Sequence, residues 1–112
     1  MKKIRKHLNI PISYYVHYAD PSFCKGITKK EGEKANFVEL FKRSSQFTLT
    51  KMEQCLKATV ADLDLSHMLQ IKFGSPLFFM ENIYYRSKNR PVILTQIYYR
   101  ADMCSYKAVV EL

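Results

Sequence analysis

A chain of 112 residues has room for one domain of ordinary size, and its 47% hydrophobic content is enough to build a single core. That length excludes a multidomain enzyme, and 13% aromatic residues against only 3 Gly and 4 Pro exclude a disordered chain. Eighteen Lys and Arg against ten Asp and Glu give a formal charge of +8, which draws anions to the surface. The basic residues are spread along the chain, clustered only at Lys2–His7 and Lys29–Lys34. They read first as a solvated basic surface, with nucleic acid as the alternative partner.

Cys24, Cys55 and Cys104 are an odd number with no CxxC or Cys/His ligand spacing, so neither a disulfide framework nor a zinc site is expected. A reducing, cytoplasmic setting fits this usage. No apolar run has signal-peptide length or approaches the roughly 18 to 20 residues that a bilayer requires, so a soluble, unprocessed chain without membrane contact is expected.

In chain order, Ile4–Lys6 reads as the end of a strand that turns through His7–Ile10 into Ile12–Tyr18, a strand rich in aromatic and β-branched residues. Pro11 stands at the start of that second strand, where no ladder donor is lost. Ala19–Lys34, with Pro21, Gly26, Gly32 and many charges, is expected to be an exposed loop. Asn36 is placed to cap a helix in which Phe37, Val38, Leu40 and Phe41 form one apolar stripe. Phe47–Val60 favours strand by its Thr and Val content, although Lys51–Gln54 also fits helix. Asp62 then caps a second short helix carrying Leu65, Met68 and Leu69 and ending before Gly74. Leu77–Tyr85 and Val92–Tyr99, separated by the polar turn Arg86–Arg90 and Pro91, give the clearest strand signals, and Lys107–Leu112 reads as a last strand.

An offset of 80 residues lays Asn9-Ile-Pro11-Ile12 on Asn89-Arg-Pro91-Val92 and Tyr18 on Tyr98. The expected fold is therefore α+β: a mostly antiparallel sheet of about six strands from two related hairpin units, with two short helices packed on it.

No P-loop, GxGxxG, GxSxG, HExxH or EF-hand pattern occurs. His7, His17 and His67 lie far apart without acids or cysteines at metal spacing, so they read as surface or hydrogen-bonding histidines and no metal or cofactor is expected. Asp62 and Asp64 serve a helix start, and Glu81, within an aromatic strand, is expected to face solvent or pair with a basic neighbour. Tyr84-Tyr-Arg86 and Tyr98-Tyr-Arg100 resemble base-stacking platforms, but without a glycine-flanked RNA-binding motif they read as core tyrosines alternating across a strand.

Taken together, Asp62–Leu69, Ile71-Lys-Phe-Gly-Ser-Pro-Leu77, the second hairpin and Tyr98-Tyr-Arg-Ala-Asp102 resemble the second half of a UTRA domain, the effector-binding module of GntR-family, HutC-type bacterial transcription regulators. Lys3-Ile-Arg5 resembles the Arg-x-Arg strand end of that family, Asn9-Ile-Pro11 its hairpin and Asn36–Leu40 its Ser-Leu-Tyr-x-Leu helix start, so the resemblance covers the whole chain as a single domain, 1–112. It implies a chorismate-lyase-like fold, a homodimer, and a small anionic effector such as a sugar phosphate, an amino-acid derivative or another carboxylate.

The resemblance further implies that Arg5 binds the effector's phosphate or carboxylate, that Asn36 stands at a helix start favouring an anion, and that Tyr99 contacts the effector. Arg100 and Asp102 match a phrase of structural role. Tyr15, at an effector-binding position, and Ile93 replace glutamates that many sugar-phosphate-binding members carry, which puts an amino-sugar effector in question, and Lys3 replaces the first arginine without its bidentate fork. The family's winged helix-turn-helix, first strand and first helix do not precede Met1, so an expressed fragment or a truncated gene product is expected, with DNA contacted only through that further domain. An enzyme of the chorismate-lyase kind, or a truncated domain that dimerises without sensing, are the alternatives.

Overall fold

Strands β1 (Lys2–His7), β2 (Ile10–Ala19), β3 (Leu49–Val60), β4 (Pro76–Arg86) and β5 (Arg90–Arg100) form one antiparallel sheet in the order β1-β2-β5-β4-β3. Helices α1 (Phe37–Ser44) and α2 (Leu63–Leu69) complete the α+β architecture. The computed structural model describes residues 1–19, 21, 37–44 and 48–112. Most of the expected Ala19–Lys34 loop, the helix cap Asn36, Cys24 and Phe47 lie outside the described residues, while Ala19 itself ends β2.

Cross-strand partners share a face of the sheet, so the register sorts the side chains. Arg5, Ser13, Tyr99 and Phe78 stand in one row, and His17, Thr95, Asn82 and Gln54 in another, both on what we term the first face. Ile4, Tyr14, Tyr98 and Phe79 stand on the second face. Leu8 and Asn9 join β1 to β2 with positive φ (50° and 66°), and Lys88 and Asn89 do the same before β5 (63° and 57°). Paired positive φ values turn the chain in the sense that matches the natural twist of a hairpin.

Each helix packs on a different face. Phe41, fully buried, seats α1 against Ile93, Ala19 and Tyr84 on the first face. Leu65 and Leu69 seat α2 against Tyr14, Leu77 and Tyr98 on the second. The start of α2 follows from local chemistry, since the Asp62 carboxylate accepts the Leu65 N–H at 2.8 Å, satisfying a donor that a helix leaves free. The helix stops at Gln70, which adopts the left-handed conformation, four residues before the expected glycine.

The expected sixth strand does not form. Residues 107–112 are irregular, with Val109, Val110 and Leu112 exposed. The chain turns at Arg100–Met103, where the Met103 N–H meets the Arg100 carbonyl, and Cys104 and Tyr106 then bond to Ile12 and Gln54 across the first face. This path carries the segment over the sheet and not along an edge, so its β-favouring residues meet no ladder partner. Glu81 also departs from expectation: half-buried on β4, it accepts a hydrogen bond from the neutral Gln96 amide at 3.0 Å.

Candidate functional site

Strand alternation brings Arg5 of β1, Tyr15 of β2 and Tyr99 of β5 to the first face. Ser13 is the register partner of both Arg5 and Tyr99, and Tyr15 follows it on the same side of β2. The Tyr15 and Tyr99 rings meet edge to face, with centroids 6.3 Å apart and planes at 72°, and the Tyr15 and His17 rings lie 5.8 Å apart. Burial pushes the Tyr99 hydroxyl far above the usual tyrosine range, and the neighbouring Tyr15 adds to the shift while Arg5 opposes it. Tyr99 therefore stays a protonated phenol at neutral pH, able to donate to an anion. Arg5 is exposed, with its guanidinium available to a carboxylate or phosphate.

Four strands further contribute a polar row beside these residues. His17 Nδ1 lies 3.0 Å from Thr95 Oγ1, Gln54 Nε2 donates to Asn82 Oδ1 at 3.0 Å, and the Tyr106 hydroxyl donates to Gln54 Oε1 at 2.8 Å. His17, Thr95 and Asn82 are buried. Burial lowers the His17 pKa to about 4, helped by the N-terminal ammonium and Lys3, so this imidazole is neutral at physiological pH. Ser13, next to Arg5, is fully buried and its Oγ has no hydrogen-bond partner among the described residues. A cavity of about 90 Å³, lined by Leu56, Phe78, Met80 and Tyr99, lies beneath residues Cys104–Tyr106.

The strand residues of this face include Lys3 and Arg5 but no Asp or Glu; Glu53 and Glu81 stand on the opposite face. The face thus offers a cationic edge, neutral hydrogen-bonding groups and aromatic walls, which favours a small anion over a cation. Among the described residues no three His, Cys, Asp or Glu side chains converge to hold a metal. Cys55 and Cys104 are free thiols.

Arg100 and Asp102 stand outside this group. The guanidinium grips the Asp102 carboxylate in a bidentate pair (3.0 and 2.7 Å) and donates to the Pro11 carbonyl at 3.4 Å. That pair holds the Asp102 carboxyl below the usual carboxylate range. Asn36 lies outside the described residues, but α1, which follows it, packs on the first face. Ser13, His17, Asn82, Thr95 and Gln54 carry no motif and were not singled out as site residues by sequence. Counting in twos from Tyr15 and Tyr99 selects Ser13, His17 and Thr95, whereas Asn82 and Gln54 join only through the β5-β4 and β4-β3 registers.

This sheet, with α1 packed on its first face and α2 on the second, defines an α+β domain class seen in bacterial GntR-family regulators. A GntR-family transcriptional regulator from Enterococcus faecalis superposes with a TM-score of 0.84 at 20% identity, over 96% of this chain and 76% of that one. The C-terminal domain of the histidine utilization repressor from Pseudomonas syringae pv. tomato gives 0.77 at 15% identity, over 97% and 75%. PhnF from Mycobacterium smegmatis gives 0.77 at 14% identity, and the present chain spans 45% of its length and is itself covered over 91%. No curated protein matched the chain. The UTRA domain family model matches residues 1–105, and the chain belongs to the UTRA domain family.

Proposed function

We propose that this domain senses a small anionic effector and, as a homodimer, controls DNA binding by a winged helix-turn-helix carried elsewhere in a cytoplasmic GntR/HutC-type regulator. The observation that carries this reading is the convergence of Arg5, Tyr15 and Tyr99 on one sheet face, whose described strand residues include no Asp or Glu, beside buried neutral hydrogen-bonding groups. Arg5 takes the effector's phosphate or carboxylate, Tyr15 and Tyr99 pack against and hydrogen-bond the remainder, and Asn36, which directly precedes α1 in sequence, is a further effector contact. Arg100 and Asp102 serve to fix the end of β5. Effector binding acts by favouring one of two arrangements of the dimer, so its differential affinity for them sets the change in DNA affinity.

The two hairpins, β1-β2 and β4-β5, are related units in this proposal. Supporting it, each ladder runs two pairs from its turn, reaches Pro11 or Pro91, and then shifts register by one residue at Ile12 or Val92. The domain is non-enzymatic and uses no cofactor. Membership in the UTRA family favours sensing over the chorismate-lyase alternative.

A thermal-shift screen against phosphorylated sugars, amino acids and other small anions tests the reading, because a ligand of the native state raises apparent stability. A rise in Tm that disappears in Arg5→Ala is the expected result. A folded chain that responds to none of these compounds overturns the reading.

A further inference from the structure

Resting on the effector-binding reading, we propose that the Ser13 hydroxyl is a further ligand contact, holding one oxygen of a phosphate group whose other oxygens are held by Arg5. Ser13 occupies the centre of the row formed by Arg5, itself and Tyr99, at zero exposure, with its Oγ unpartnered. A buried hydroxyl without a partner costs about 1–3 kcal/mol, and nearly all such groups in native proteins have one. An alanine of similar size would avoid that cost in a strand interior. The orphan is therefore accounted for by a partner that arrives from outside the chain.

Position determines the chemistry of that partner. Arg5 is the neighbouring side chain on β1, Lys3 adds positive charge two residues along the same face, and the strand residues of the face include no carboxylate. Tyr99, on the other side, is a phenol that stays protonated. Arg5, Ser13 and Tyr99 thus present three kinds of donor in one row. A carboxylate has two oxygens, both used by a guanidinium fork, whereas a phosphate monoester keeps a third for a hydroxyl donor. Arg5 is exposed on the strand beside Ser13, within reach of an anion from solvent.

The test is isothermal titration of the wild-type chain, Ser13→Ala and Arg5→Ala with inorganic phosphate, and with acetate in parallel, alongside thermal denaturation of each ligand-free protein. Phosphate is expected to bind the wild type more tightly than acetate. Ser13→Ala is expected to weaken phosphate at least tenfold while leaving acetate unchanged, and to keep or raise the Tm of the free protein, because it removes an unsatisfied group. A merely structural serine would, on replacement, lower the Tm and leave phosphate affinity alone. Unchanged phosphate affinity in Ser13→Ala, with binding lost in Arg5→Ala, overturns the Ser13 assignment and leaves the effector reading standing. Acetate binding as tightly as phosphate, phosphate binding insensitive to Arg5→Ala, or no phosphate binding to the wild type each overturn the proposal. The effector reading itself falls only if the broader screen is also silent.

Discussion

His17 and Thr95, 78 residues apart in the chain, meet as cross-strand partners of β2 and β5, with Nδ1 3.0 Å from Oγ1 in a buried setting. The N-terminal ammonium donates to the His17 carbonyl at 2.8 Å, so a positive charge stands beside an imidazole that burial already keeps neutral. One contact thus couples sheet registration, a polar row of the first face and the protonation state of a histidine.

That coupling makes the fold sensitive to acid. The unfolded imidazole titrates near 6.5 and the folded one at about 4, so between these values the unfolded state binds the extra proton. Stability is therefore complete above pH 6.5 and falls as the pH drops toward 4. Allowing for partial solvent screening, the His17 contribution to that loss is about 1–2 kcal/mol. Urea denaturation from pH 7.5 to 4 is expected to show the decline, and His17→Gln to flatten it. An equally steep decline in the variant would show that other groups cause it.

Phe41 is the anchor of α1, buried completely against Ile93, Val92 and Tyr84. Phe41→Ala removes that packing and leaves a cavity, so a loss of about 3–5 kcal/mol is expected in the denaturant midpoint analysis. A loss below about 1 kcal/mol would mean that α1 does not depend on this contact.

Asp62 caps α2 through its carboxylate and the Leu65 N–H. Asp62→Ala is expected to cost about 1 kcal/mol, read as a fall of about 4–8 °C in Tm. Asp62→Asn, which keeps an acceptor oxygen, should recover most of it. Equal losses in both variants would assign the effect to charge and not to the cap.

Elements specified by short-range chemistry were legible in the sequence. Asp62 signals its helix because capping needs only neighbouring residues, and Leu65 and Leu69 reveal the buried side by spacing alone. Pro91 and the alternation of β4 and β5 likewise locate a hairpin within about 25 residues of chain. Lys107–Leu112 failed for the opposite reason: β propensity describes a side chain's fit to a half-buried pleat, and a strand exists only where a partner offers its backbone.

The resemblance carried by Lys3-Ile-Arg5 and Tyr98-Tyr-Arg100 points to Arg5, Tyr15 and Tyr99, and the register places all three on one face. What it passed over is the unmarked polar chemistry between them. Ser13, His17, Thr95, Asn82 and Gln54 are ordinary residues in sequence, and the β4-β5 hairpin that carries Asn82 and Thr95 meets His17 and Gln54 only through the non-hairpin pairings of β5 with β2 and β4 with β3. The sequence by itself determined both hairpins and both helices, the cationic edge at Arg5 and the family, because each rests on local pattern. Only the tertiary structure decided which polar groups are buried together, that Ser13 lacks a partner and that His17 is neutral, because burial and hydrogen-bond satisfaction belong to neighbours that the chain brings together only on folding.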